Sequence, residues 1–530
     1  MHSAPRHSEG TSGVRITEFF DRGFRQNPEG PAYIMGDRQW TYREAYALSC
    51  RVAQGLSTAL KPGAKVAVLS PNHPEAWICV LGSWRAGMVW VPLNPAMPPD
   101  ETAELAAAFD CEAIFYHSSM ASVVESLRAK SPALRLAVCL DREPADGPEL
   151  HRWCAACPAE PPEVHTAIDD IVAISPTGGT TGRPKGVMSS HRNFHTSTAH
   201  LLMLLNYEAH QPIVNLAAAP MTHTSGLLSL PATARGGTVV VLEKADHTVL
   251  ADVIEQYGIT EMFLPPTVIY RWLDHLAGQE RDFSSLRYLI YASAPMSVER
   301  LRQAIDVYGP VMTAAYGQTE SPGTISLMRC AELFESDGSL NETRLASCGR
   351  PTPLLSFEIR DGKGDVVPRG TAGEICVRGD TVMAGYYAQP EQTAETVVDG
   401  WLHTGDIGHL DDDGYLYITD RKKDLIISGG FNVYPSEVEQ VLWSHPAVGD
   451  CAVVGIPHPD WGEAVTGVVE LRPEADATPE ELLAWCRERL GGIRAPKRID
   501  LVRELPRSPN GKVLKNRVRE PYWRGVDRHI

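Results

Sequence analysis

Short runs of β-branched and aliphatic residues, separated by stretches of helical length, set the rhythm of the chain from Lys65 to Gly317. The runs 66–69, 89–91, 114–116, 171–174, 239–242, 262–264 and 289–291 each have the length of a strand, and their alternation with helical segments predicts parallel α/β layers. The most hydrophobic long stretch, 76–93, contains Arg85, two glycines and Pro92, so it reads as a buried helix running into a strand and not as a membrane span. Between about 347 and 419 the runs shorten and alternate with Gly and Asp turns, as at 357–360, 374–377 and 415–418, which predicts an antiparallel subdomain. Polar Lys422-Lys423-Asp424 follows. Beyond it lies a self-contained mixed region with helices over 435–443 and 479–490 and strands over 452–454 and 465–471. This pattern places a boundary between residues 1–422 and 423–530, with the first 14 residues a loose end.

A chain of 530 residues with 43% hydrophobic and 22% charged positions is too long for one core and has the balance of a soluble protein of two or more domains. The net charge of −17 argues against nucleic acid or an anionic membrane as the main partner. Anionic ligands must then meet local positive charge. Arg494, Lys497, Arg498, Arg503, Arg507, Lys512, Lys515, Arg517 and Arg519 offer it, with a solvated basic surface as the alternative reading. Eleven scattered cysteines, odd in number, suggest neither a zinc site nor a disulfide framework and point to a reducing, cytoplasmic setting. The polar N-terminus lacks the apolar core of a signal peptide.

Residues 175–186 read S-P-T-G-G-T-T-G-R-P-K-G directly after an apolar run. Such a loop offers backbone N–H groups, hydroxyls and an ammonium to a polyphosphate where side chains would block close approach. It is not a Walker loop: Arg183-Pro184 separates the lysine from the preceding glycine, and Gly186 stands where Ser or Thr should ligate magnesium.

The loop resembles the phosphate-binding signature of the adenylate-forming superfamily, which includes acyl-CoA synthetases. Four more blocks follow in that family's order: Tyr316-Gly317-Gln318-Thr319-Glu320, Gly400-Trp401-Leu402-His403-Thr404-Gly405-Asp406, Asp420-Arg421-Lys422-Lys423-Asp424 with Ile427-Ser428-Gly429-Gly430, and Leu505-Pro506-Arg507-Ser508-Pro509-Asn510-Gly511-Lys512. The resemblance implies an α/β fold: a large N-terminal domain of layered βαβ subdomains with a small β-rich subdomain, and a small mobile α+β C-terminal lid that pivots near Lys423. It further implies an ATP-dependent acid–CoA ligase that uses Mg2+, with CoA as co-substrate.

By the same resemblance, Thr177, Gly178, Gly179, Thr180, Thr181, Gly182 and Lys185 hold the phosphates, while Glu320 and Thr180 serve magnesium. Ala292, Ser293, Ala294, Pro295, Tyr316, Gly317, Gln318 and Thr319 surround the nucleotide, and Asp406 with Arg421 takes the ribose hydroxyls. Lys512 is the adenylation catalyst, His223 gates the carboxylate pocket, and Gly429-Gly430 makes room for a pantetheine arm after rotation about Lys423. Two positions depart from the family pattern: Gly178 where most relatives have serine, and Ala292-Ser293 in place of a glycine pair. The segments 223–227, 266–270 and 292–296 are mostly small or apolar and hold no arginine, which favours a hydrophobic monocarboxylic acid, fatty, alicyclic or aryl, over a dicarboxylate. No carrier or condensation domain is appended, which favours CoA as acceptor; a standalone enzyme that loads a carrier-protein thiol is the alternative. A non-catalytic adenylate sensor would be expected to have lost Lys512 or Glu320, and both are present. The partners expected are thus a carboxylic acid, ATP and CoA, with no nucleic acid and no membrane span, and a homodimer stays open.

Overall fold

The apolar runs become the strands of two large sheets. The computed structural model describes residues 15–177, 185–222, 224–472, 475–508 and 512–524. Strands Lys65–Leu69, Val89–Pro92, Cys111–Tyr116, Leu136–Cys139 and Ile171–Thr177 run parallel in a seven-stranded sheet. Thr238–Val241, Glu261–Leu264, Tyr288–Tyr291 and Met312–Gln318 belong to a nine-stranded sheet, together with Pro31–Met35 and Val214–Ala217. In that sheet the inner strands are parallel, and the outer ones, Arg38–Thr41, Ser321–Met328 and Arg350–Pro351, are antiparallel. Parallel strands covered on both faces need side chains that are apolar at every position, which is why these runs do not alternate.

The stretch 76–93 is indeed a helix leading into a strand: Pro74–Arg85, capped by His73 and buried at every residue, precedes Val89–Pro92. Its Trp77 and Trp84 pack edge-on with Trp90, ring centroids 5.7–5.8 Å apart, within a core that draws on both sheets. Arg85 is tolerated there because its guanidinium pairs with Asp21, donates to Ser49 Oγ and lies over the Tyr46 ring.

The antiparallel subdomain forms as Leu355–Arg360, Gly373–Gly379, Trp401–Leu410 and Val397–Val398, with Leu416–Arg421 also on Trp401–Leu410. Two pieces of the 347–419 segment go elsewhere: Arg350–Pro351 edges the nine-stranded sheet and Gly385–Tyr386 edges the seven-stranded one. After the 3-10 turn Lys422–Asp424, a fourth sheet joins Phe431–Val433, Ile426–Ser428, Gly462–Leu471, Val448–His458 and Arg498–Val502, packed by helices Pro435–Trp443 and Pro479–Arg494. The latter helix runs past 490 because Gly491, at φ 69°, joins two helical pieces across a kink. All eleven cysteines are free thiols, including Cys154 and Cys157, whose C-x-x-C spacing the scattered-cysteine reading passed over. No helix among the described residues is long and apolar enough to cross a membrane.

The Asp21–Arg85 pair carries the first prediction. Asp21→Ala leaves a guanidinium only 3% exposed without its counter-charge, and denaturant unfolding should show a loss of about 3–5 kcal/mol. A loss under about 1 kcal/mol would mean that the packing does not depend on the pair.

Candidate active site

The glycine-rich loop connects two antiparallel strands. Ile171–Thr177 pairs with Lys185–Ser190, with Thr177 opposite Lys185, so both residues stand at the mouth of the loop. Gly178, Gly179, Thr180, Thr181 and Gly182 lie outside the described residues, as does His223. Gly186 admits no side chain, since a Cβ there would come within 2.6 Å of Ile174 and Phe109. The edge strand Gly385–Tyr386 pairs with Lys185–Ser190, and the Lys185 ammonium lies 5.0 Å from the centre of the Tyr386 ring.

From that ring the contact passes to Glu320. Tyr386 OH donates to Glu320 Oε1 at 2.8 Å. Glu320 occupies the tight turn between Met312–Gln318 and Ser321–Met328, and its carbonyl accepts from Met383 N–H at 2.8 Å. The Tyr386 hydroxyl is held well above its ordinary pKa by burial and by the Glu320 charge, so it donates and does not ionise. The other carboxylate oxygen of Glu320 has no hydrogen-bond partner among the described residues. A half-buried glutamate oriented through one oxygen with the second free fits a magnesium ion, which takes one or two carboxylates and keeps its remaining shell for water and phosphate.

The same hairpin carries Tyr316, whose OH donates to Asp406 Oδ2 at 2.7 Å. Arg421 Nε lies 3.1 Å from Asp406 Oδ1 across the ladder that pairs the two residues. Asp406, 4% exposed, is thus held through both oxygens. A carboxylate has about four lone-pair positions, so two remain for a diol. Burial and the Asp406 charge raise the Tyr316 pKa well above the ordinary value. Gln318 Nε2 donates to Thr404 O at 3.4 Å, and Gly317 lies so close to Gly323 that a Cβ would sit 2.3 Å from the Gly323 carbonyl oxygen. Thr319 completes the turn beside Glu320.

Residues 292–295 follow strand Tyr288–Tyr291 at the end of the nine-stranded sheet nearest this hairpin. Ser293 has φ 75°, a left-handed conformation that the family's glycine adopts without strain. Ala292 is half-buried, Ala294 likewise, and Pro295 is exposed.

Lys512 reaches this cluster from the C-terminal segment. Its backbone closes on Ser508: Ser508 N donates to Lys512 O at 2.7 Å, and Lys512 N to Ser508 Oγ at 3.2 Å. Arg507 anchors the segment to Asp450 at 2.8 Å and Glu470 at 3.2 Å, and half-buried Lys515 pairs with buried Glu439 at 2.8 Å. The surface of Lys512 itself stays open. Even so, the enclosing cleft walls, with Arg421 and Lys423 nearby, bring its ammonium down to about 8, against the opposing pull of Asp406 and Asp424. Across the cleft, Gln440 Nε2 donates to Met296 O at 3.3 Å, and Ser436 N to Asp420 Oδ2 at 2.9 Å.

Gly429 and Gly430 are elsewhere. They form the exposed turn between Ile426–Ser428 and Phe431–Val433, with φ 58° and 81°. Beside them Ile427, Phe431 and Trp461 are exposed to 37%, 55% and 39%. Lys423 is also exposed, in the turn between the last strand of the antiparallel sheet and the first of the C-terminal sheet. The structure therefore groups Lys185 and Glu320 around Tyr386, and Tyr316, Arg421 and Lys512 around Asp406, while the glycine turn is exposed. Tyr386 is the residue that sequence reasoning missed; its only trace was a tyrosine pair after Gly385, with no spacing to tie it to Glu320.

Comparison with known proteins identifies the family. Residues 20–387 match the family described as AMP-binding enzyme, and residues 437–512 match the AMP-binding enzyme C-terminal domain. The chain belongs to this family, as an adenylate-forming enzyme of the acyl-CoA synthetase type. It is 35% identical over 505 residues to a feruloyl-CoA synthase of an Amycolatopsis species, covering 94% of this chain and 98% of that one. It is 34% identical over 525 residues to a medium/long-chain-fatty-acid–CoA ligase of Mycobacterium tuberculosis, covering 96% and 90%. Among solved structures, an amide bond synthetase from Marinactinospora thermotolerans superposes with a TM-score of 0.86 at 32% identity, covering 96% of this chain and 100% of that one.

Ser293 carries the prediction of this site. Ser293→Gly should remove the left-handed penalty and raise stability by roughly 1 kcal/mol, part of it offset by the freer unfolded chain. Thermal unfolding reads the effect, and a lowered melting temperature would show that the serine side chain holds the loop.

Proposed function

We propose that the protein is an ATP-dependent acid–CoA ligase acting on a hydrophobic monocarboxylic acid. In the first step a carboxylate oxygen attacks the α-phosphorus of ATP, the bond to the β-phosphate breaks, and pyrophosphate leaves. In the second, the CoA sulfur attacks the acyl carbonyl, its proton is lost, the bond between the carbonyl carbon and the phosphate-borne oxygen breaks, and AMP leaves with that oxygen. Two anions meet in the first step, so cations must already be in place. The observation that carries the reading is the convergence of Lys512 with Asp406 and Arg421 on a cleft whose far wall bears Glu320 and Lys185.

In this reading, Asp406 accepts from the ribose hydroxyls, with Arg421 and Tyr316 holding its orientation. Lys185 and the loop before it meet the β- and γ-phosphates. Glu320, with Thr180 contributing, would hold magnesium, which would neutralise phosphate charge. The Lys512 ammonium touches both the carboxylate and the α-phosphate. Lys423 is the pivot that withdraws Lys512 and brings in the Gly429-Gly430 turn for the thiol step. The exposure of Phe431, Ile427 and Trp461 beside that turn supports a second docked position, because such apolar groups are ordinarily covered. Support for an apolar acid comes from the cluster behind Ala292 and Ala315, where Leu228, Phe263, Ile290 and Leu327 pack together.

Acid-dependent pyrophosphate release over a panel of fatty, alicyclic and aryl acids, with CoA present or withheld, tests the assignment. Turnover of monocarboxylic acids to acyl-CoA is expected; adenylation followed by transfer only to a carrier protein would replace CoA with a carrier thiol as the acceptor. The lowered pKa of Lys512 sets a sign: the ammonium is charged below about 8 and neutral above it. The adenylation rate should therefore fall as pH rises through that value, and Lys512→Arg, always charged, should lack this limb whatever its absolute rate. Gly430→Leu should spare acyl-AMP formation while slowing thioester formation at least tenfold; equal losses in both steps would remove the turn from the thiol reaction.

A further inference from the structure

The ladder that carries Asp406 also assembles a thiol, an imidazole and a carboxylate that the proposed reaction does not use. Cys376 and His403 are direct partners across strands Gly373–Gly379 and Trp401–Leu410. Glu374, two residues before Cys376, shares its face of the strand. One ligand atom from each lies within 4.8 Å of the other two. His403 Nδ1 is 3.2 Å from Glu374 Oε2 and 3.6 Å from Cys376 Sγ.

The S···N and N···O separations have the dimensions of a metal site. In a tetrahedron about zinc, with Zn–S about 2.3 Å and Zn–N or Zn–O about 2.0–2.1 Å, the S···N edge is about 3.6 Å and the N···O edge about 3.3 Å. Hydrogen bonding alone explains the triad less well, because Nδ1 carries either one proton or one lone pair and here faces two partners. We propose that Glu374, Cys376 and His403 bind a zinc-class divalent cation, with solvent as the fourth ligand. Access is from the side of His403, whose side chain is 24% exposed, while Cys376 forms the buried end.

Two neighbours define how the ion binds. Lys422 Nζ stands 3.3 Å from Glu374 Oε2, so an incoming cation competes with this ammonium for the same oxygen. Glu374 Oε1 accepts from Gly405 N at 3.2 Å, which links the ion to the turn that presents Asp406. Without metal the thiol keeps its proton, since burial and the Glu374 charge push it up to about 12, with Glu358 acting in the same direction and Arg360 and Lys422 against it. Binding exchanges that proton for the cation, and the proton leaves to solvent.

The site stands or falls independently of the ligase reading, and binding to the full-length protein tests it. Cobalt(II) titration of the metal-free chain should reach one ion per chain with a thiolate-to-cobalt charge-transfer band, which zinc displaces. Cys376→Ser should abolish the band and weaken zinc by at least the roughly 10–100-fold that losing even an outer-shell partner costs. His403→Gln, at a partly exposed position, should weaken zinc similarly with an unchanged thermal unfolding profile, so the test survives if the cysteine variant fails to fold. Lys422→Ala should tighten zinc by about two- to fivefold, the strength of one exposed ion pair. A missing thiolate band, or a band and affinity that persist in the Cys376 or His403 variant, would overturn the site; unchanged affinity in the Lys422 variant would overturn the competition.

Discussion

The buried carboxylate of Asp406 is the constraint around which the cleft is organised. A carboxylate with 4% of its residue surface exposed must be given donors and counter-charge, and its partners come from separate parts of the chain. Tyr316 arrives from the nine-stranded sheet at 2.7 Å, Arg421 from the neighbouring strand of the antiparallel sheet at 3.1 Å, and the Lys512 ammonium from the C-terminal segment. One negative charge thus joins the two N-terminal sheets and acts on the Lys512 ammonium of the smaller C-terminal domain. In a chain of net charge −17, this is how cations are gathered where an anionic substrate needs them without making the whole surface basic.

That cluster also explains the dispersal of the motifs. Lys512 stands near Arg421 and Asp406 while Gly429 and Gly430 form an exposed turn of the same small domain, and the short turn Lys422–Asp424 joins that domain to the strand carrying Arg421. Polar contacts such as Gln440 to Met296 and Ser436 to Asp420 join that domain to the rest, and the proposed reaction would exchange one of its faces for another. The proposed two-step reaction uses both faces in turn.

Much of this fold was legible in the sequence because a fully buried parallel strand needs a continuous apolar run, and runs such as 66–69 and 289–291 have no other use. Helix 435–443 was legible for the same reason, through its period and its leading proline. Pairings between distant segments were not. Gly385–Tyr386 joins Lys185–Ser190 from nearly 200 positions away, and two residues are too few to leave a periodic trace. Tyr386 was therefore invisible as a partner of Glu320, and the Arg38–Thr41 edge strand passed unnoticed for its polarity. Among the candidate site residues, Asp406, Arg421, Glu320 and Lys512 were named by motif, yet nothing in the motifs showed that Tyr316 would direct its hydroxyl to Asp406. The Glu374, Cys376 and His403 grouping depends on cross-strand register, which spacing along the chain does not reveal.

The most direct test of the account separates the two half-reactions in Lys512→Ala. Acyl-AMP formation from acid and ATP should fall by about 10²–10³. Conversion of supplied acyl-AMP and CoA to acyl-CoA should proceed at nearly the parent rate. Undiminished acyl-AMP formation in the variant would contradict the claim that Lys512 and the Asp406 cluster close on the same nucleotide.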